Sequence, residues 1–85
     1  MRPRRFLPST RLLTAFDAVV RHGSATAAAR ELDLTQSAVS RLVLSLEEQL
    51  GKELFVRAQR RMIPTAAALA YSRDIKRALD IVQRA

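Results

Sequence analysis

Seven side chains carry the chemistry this sequence offers: Gln36, Ser37, Ser40 and Arg41 in one stretch, and Arg57, Arg60 and Arg61 in another. A planar amide can form paired hydrogen bonds with the N6 and N7 atoms of adenine. Serine hydroxyls reach base edges or phosphate oxygens, and an arginine fork matches guanine or a phosphate. The first four lie at positions one, two, five and six of a helix expected to open after Thr35, so they share its first two turns. A helix start also presents unpaired main-chain N–H groups and a partial positive charge. Thr35, read first as the helix cap, and Gln36 are therefore expected to anchor a phosphate through the backbone. Glu47 and Glu48 wait until the far end, where a phosphate would not be. The competing readings are helix-start chemistry for Ser37 and a solvated or ion-paired surface for the arginines. Catalysis has little support: His22 is the sole histidine, and Asp17 and Ser24 nearby give no reason for a nucleophile, base and orienter to converge. With no cysteine, no metal-ligand cluster and two glycines, the chain is not read as an enzyme, and no cofactor is expected in it.

The elements that must position these groups follow from the hydrophobic spacing. A first helix is expected after Ser9 or Thr10, with Leu12, Leu13, Phe16, Val19 and Val20 as its apolar stripe and an end near Gly23. A second opens at Ser24 as N-cap and turns the small Ala28 and Ala29, with Leu32, toward one face. Asp33, Leu34 and Thr35 break the pattern, Leu34 plugging the turn. From Gln36 onward Val39, Val43, Leu46 and Leu50 recur at steps of four, three and four until Gly51 supplies a stop. Lys52 to Phe55 and Met62 to Pro64 are expected as two short strands joined by a tip from Arg57 to Arg61, with Leu54, Phe55 and Ile63 covering the core. Thr65 then caps a final helix in which Ala68, Tyr71, Ile75, Ala78 and Val82, widened by Leu69 and Leu79, form one stripe. The expected fold is mainly α: a winged helix-turn-helix with a C-terminal linker helix. Residues 1–64 make the winged unit, with a basic, proline-punctuated arm over residues 1–8, and residues 65–85 the linker helix.

Composition agrees with this reading. The 85 residues leave room for one small domain, and a chain this short, without cysteines to staple it, depends on efficient helix packing or a partner chain. Dimerisation is expected on those grounds alone. Fifteen Lys and Arg against eight Asp and Glu give a net charge of +7, and all but Lys52 and Lys76 are arginine, so a polyanion, nucleic acid above all, is the expected partner. Arg2, Arg4 and Arg5 of the arm read equally as phosphate contacts or as a solubilising tail. No apolar run approaches the roughly 20 residues needed to span a membrane. Pro8, Ser9, Thr10 and Arg11 interrupt anything like a signal peptide, so a cytoplasmic location is the default.

The motif set resembles the N-terminal DNA-binding domain of LysR-type bacterial transcriptional regulators over nearly the whole chain. The matched positions are Ser24, Ala28, Ala29, Leu32, Gln36, Ser40, Arg41, Leu46, Glu47, Leu50, Gly51, Leu54, Phe55, Arg57, Arg60 and Thr65. The opening RRFLPSTRLLTAFDAVVRH also resembles the subgroup typified by the activator of glycine-cleavage genes. The resemblance implies sequence-specific binding of double-stranded DNA, with the recognition helix in the major groove. It further implies that Arg57 or Arg60, by preference Arg60, enters the adjacent minor groove, where narrow A·T segments attract arginine. Arg61 is extra relative to the pattern. A homodimer would form through the final helix, at Ala68, Tyr71, Ile75, Ala78, Leu79 and Val82, and read an inverted repeat. A higher oligomer, an effector-binding domain and its small-molecule inducer are implied only for a longer protein. Ala25 stands where an aromatic residue is common, Ala68 where glycine is usual, and Ala27, Leu42 and Leu44 where polar or basic residues are frequent; Leu42 and Leu44 could face a thymine methyl or a protein. The alternative from another class is a helical interaction module whose basic surface binds an acidic protein.

Overall fold

The computed structural model describes residues 9–84. The basic arm with Arg2, Arg4 and Arg5 lies outside the described residues. Four helices and a hairpin follow in the order α1 (Thr10–His22), α2 (Ala25–Leu32), α3 (Gln36–Leu50), β1 (Phe55–Ala58), β2 (Arg61–Pro64) and α4 (Ala66–Arg84). Each helix starts at a hydroxyl that accepts a main-chain N–H three residues on. Ser9 takes Leu12, Ser24 takes Ala27, Thr35 takes Ala38 and Thr65 takes Ala68, at 3.0–3.3 Å. Such a cap contributes about 1 kcal/mol. The first three helices stop at residues in the left-handed region: Gly23 (φ 74°), Asp33 (φ 59°) and Gly51 (φ 69°). The starts and stops expected from sequence are therefore where the helices begin and end.

Helix α1 is the central wall, packed against α2, α3 and α4. Phe16 is fully buried at the hub, its ring 5.7 Å from Phe55 of the hairpin and 5.5 Å from Tyr71 of α4. Three elements distant in sequence thus meet on one aromatic side chain, in the tilted and edge-on geometries that aromatic quadrupoles favour. Burial raises the Tyr71 hydroxyl above the usual phenol range. Val39, Val43 and Leu46 of α3 are buried and Leu50 half-buried, as their spacing requires, and Leu34 packs against the core from the turn. On the surface, Arg21 locks the end of α1 to α2 by gripping both carboxylate oxygens of Glu31, at 2.8 and 2.7 Å, while its Nε donates to Asp17 at 3.0 Å. Arg21, with His22 2.6 Å away, holds the Glu31 carboxyl down to about 2.

The hairpin departs from expectation. Its strands are Phe55–Ala58 and Arg61–Pro64, paired antiparallel with Ala58 opposite Arg61, so the turn is only Gln59 and Arg60. Arg57 lies within β1 and not in the tip. Met62, not Ile63, enters the core; Ile63 stays 49% exposed beside its equally exposed cross-strand partner Val56. Strand alternation explains the exchange, because Met62 shares the inward face with Phe55 and Arg57. The Met62 N–H donates to the Gly23 carbonyl at 3.0 Å, pinning the hairpin to the turn between α1 and α2.

The final helix also departs. Ala68 and Ile75 are buried, and Tyr71 and Leu79 half-buried, against the domain's own core. Much of the stripe read as a dimer seam is therefore used inside one chain, since α4 packs back on α1 and β2 before running on. Val82 and Ala78 remain exposed, as do Leu69 and Ile81.

Candidate nucleic-acid interface

Helix α3 lies at the surface with its core stripe inward, which turns two other stripes outward. Gln36 and Ser40 are four residues apart and therefore neighbours on one face; the Gln36 Nε2 donates to the Ser40 Oγ at 3.0 Å. Ser37 and Arg41 form the next stripe and are exposed, followed one turn later by Leu44. Thr35 accepts the Ala38 N–H on its hydroxyl oxygen and the Val39 N–H on its carbonyl, which leaves its hydroxyl proton and its main-chain N–H as donors toward a ligand.

The hairpin stands beside the first of these stripes. Between them runs a groove of about 360 Å³, walled by Gln36 and Ser40 from α3, by Arg57, Gln59, Arg60, Arg61 and Met62 from the hairpin, and by Ala25 and Thr26 from α2. None of these nine residues is acidic. Five of the eight sequence-nominated contact residues thus line one concavity, whereas Thr35, Ser37 and Arg41 lie outside it. Ala25 is buried at the groove wall, where α2 begins. Among the described residues, Arg41, Arg60 and Arg61 have no carboxylate within 4 Å.

Arg57 differs. Its guanidinium is 3.6 Å from Glu47, whose other carboxylate oxygen accepts the main-chain N–H groups of Leu54 and Phe55 at 2.8 and 3.2 Å. Glu47 is therefore not an outward acidic group at the far end of the helix, as its position suggested. It is buried, and it fixes the first strand of the hairpin to α3. A signal existed, since Glu47 follows Val43 by four residues and precedes Leu50 by three and so borders the buried stripe. Thr65 adds a second tie, its Oγ1 donating to the carbonyls of Glu53 and Leu54 at 3.1 and 3.3 Å. Leu42 packs on the core beside Leu32 and Leu34, away from the hairpin, which separates its role from that of Leu44.

A helix-turn-helix whose second helix is presented at the surface, with a two-stranded hairpin beside it and an arginine-lined groove between, defines a winged helix-turn-helix protein. The chain belongs to the lysR family of bacterial regulatory helix-turn-helix proteins, which matches residues 10–69. It is 47% identical over 70 residues to the glycine cleavage system transcriptional activator of Escherichia coli K12, a match covering 82% of this chain and 23% of that protein. With the transcriptional activator AmpR of Providencia stuartii it shares 46% identity over 71 residues, 84% of this chain and 24% of the relative. The chain thus spans about a quarter of the length of these relatives. Among solved structures, the DNA-binding domain of CbnR in complex with DNA superposes with a TM-score of 0.86 at 36% identity, covering 89% of this chain and 87% of that one. The BenM DNA-binding domain on benA site 1 DNA gives 0.84 at 33% identity, covering 89% and 85%.

Proposed function

We propose that the chain binds double-stranded DNA sequence-specifically, as the DNA-binding domain of a transcriptional regulator. Helix α3 lies in the major groove and the hairpin in the adjacent minor groove. The observation that carries this reading is the acid-free groove that sets the amide and hydroxyl of α3 against the arginines of the hairpin. Gln36 reads adenine, Arg41 reads guanine or clamps a phosphate, and Ser37 and Ser40 reach base edges or phosphate. Thr35 and Gln36 hold a phosphate through the main chain at the start of α3. Arg60, at the turn, enters the minor groove, and Arg61 adds charge beside it. The bound forms of the CbnR and BenM domains support the same docking for a chain this similar.

Two copies pair through α4 and read an inverted repeat. Since Ala68, Tyr71, Ile75 and Leu79 are engaged with the chain's own core, the partner's helix meets the remaining face: Ala67, Ala70 and Ala78, with Ile81 and Val82 near the end. Small side chains there allow close approach of a second helix. The function is binding rather than catalysis, and its place is the bacterial cytoplasm, where the DNA is; no helix among the described residues is long and apolar enough to cross a membrane. Selection of sites from random duplex DNA by the 85-residue chain tests the reading. Enrichment of an inverted repeat is expected. Recovery of DNA without a common motif would reduce the chain to a nonspecific polycation, and no binding would favour an acidic protein as its partner.

A further inference from the structure

We propose that Glu47 and Arg57 form a strut that sets the angle of the hairpin against the recognition helix, and that Arg57 therefore positions the wing without neutralising a DNA phosphate. The inference rests on the DNA-binding reading above and assigns different work to arginines that look alike in sequence.

Glu47 is the one charged side chain buried among the described residues, with 8% of its surface exposed. A carboxylate removed from water must recover its solvation from hydrogen bonds and an opposite charge. Glu47 takes the first from the Leu54 and Phe55 N–H groups, where the chain enters β1, and the second from Arg57, two residues further along the same strand. Two of the three partners are on β1, the third directly precedes it, and the acceptor is on α3, so the network spans the two elements proposed to enter neighbouring grooves. Arg57 shares the inward strand face with Phe55 and stands opposite the buried Met62, which directs it toward α3. Arg60 and Arg61, at and after the turn, have no such partner among the described residues. Drawing Arg57 away to a phosphate would leave a buried carboxylate without its counter-charge. A phosphate gains more from an arginine that is free.

The test is the salt dependence of binding by the full 85-residue chain to two duplexes, one bearing the selected inverted repeat and one scrambled. Each phosphate neutralised contributes about 0.9 to the slope of log K against log salt on duplex DNA. Arg60→Ala, which removes a cation that displaces counterions from the phosphates flanking the minor groove, is expected to lower the slope by about 0.9 per subunit. Arg57→Ala is expected to leave the slope unchanged while reducing the preference for the repeat over the scrambled duplex about tenfold, the smaller end of what one base-pair mismatch costs. Arg57→Lys, which keeps a cation within reach of Glu47, restores that preference. Glu47→Gln keeps an oxygen that can accept both main-chain N–H groups but releases Arg57; it is expected to steepen the slope by about 0.9 per subunit and to tighten binding to the scrambled duplex. Adding Arg57→Ala to Glu47→Gln returns the slope to that of the unaltered chain. A loose hairpin with no role for charge would not produce that reversal. The proposal is overturned if Arg57→Ala flattens the slope as Arg60→Ala does, a result that decides the matter even if Glu47→Gln fails to fold. It is also overturned if the double variant keeps the steeper slope. If the unaltered chain shows no salt-dependent DNA binding, the DNA reading itself falls and the strut's proposed role falls with it.

Discussion

The two ends of helix α3 are built for opposite tasks. Its first two turns present Gln36, Ser37, Ser40 and Arg41 to solvent, with one internal bond between Gln36 and Ser40 and no carboxylate beside Arg41 among the described residues. Its last two turns bury Leu46 and Glu47, and Glu47 grips the hairpin. One helix is thus a proposed reader at one end and a brace at the other. The groups proposed to exchange water for DNA are left hydrated, while the carboxylate that holds the hairpin is buried and hydrogen-bonded.

The largest effects should come from breaking the braced end. Glu47→Ala strands the Leu54 and Phe55 N–H groups and frees the half-exposed Arg57, and is expected to cost about 1–3 kcal/mol of stability for each N–H left unpaired, measured by urea unfolding. Gln36→Ala at the other end should change stability by no more than about 0.5 kcal/mol. An equal loss at the two ends would erase the distinction. Next, if the proposed contacts hold, Arg41→Ala and Arg60→Ala should each weaken binding to the selected repeat by about 1–3 kcal/mol in titrations at fixed salt, with the melting temperature nearly unchanged. Full binding in the double variant would show that the reading end has been misplaced.

A smaller effect concerns the turn to which the hairpin is pinned. Gly23 has φ 74°, and a Cβ there meets nothing within 4 Å. Gly23→Ala should therefore cost only the backbone penalty of the left-handed region, about 1 kcal/mol, read from thermal melts. A much larger loss would mean that the bond from Met62 to the Gly23 carbonyl fails as well. The smallest effect is acid sensitivity at the lock between α1 and α2. The Glu31 carboxyl is lowered to about 2, so its folded form holds the proton more weakly than its unfolded form. Its contribution is complete above the unfolded value near 4.5 and fades as the pH falls toward about 2. Glu31→Gln should flatten the fall in melting temperature across that window; an unchanged profile would mean the exposed lock adds nothing.

Much of the fold was legible because its signals are local. Ser24, Thr35 and Thr65 cap helices from their own side chains, Gly23 and Gly51 stop them through backbone freedom, and the steps from Val39 to Leu50 define a buried stripe before any neighbour is known. The groove's polar residues were legible for the same reason, since Gln36 and Ser40 become neighbours wherever a helix forms. The hairpin was legible in kind and wrong in register. Lys52 to Phe55 could begin a strand as well as end a loop, and Ile63 is a better core residue than Met62 by type alone.

By itself the sequence determined the helix starts, the helix stops, the positive charge and the donor-rich first turns of α3, since each depends on contacts within a few residues along the chain. Only the tertiary structure decided which face of α4 is used at home and which is left exposed. It also decided that Met62 and not Ile63 fills the core, and that one glutamate of the pair at the end of α3 is buried as a brace. Those outcomes turn on Phe16 meeting Phe55 and Tyr71, and on Glu47 meeting a strand that begins eight residues later. Long-range packing has no period in the sequence, and a buried carboxylate is tolerated only where a particular strand arrives to satisfy it.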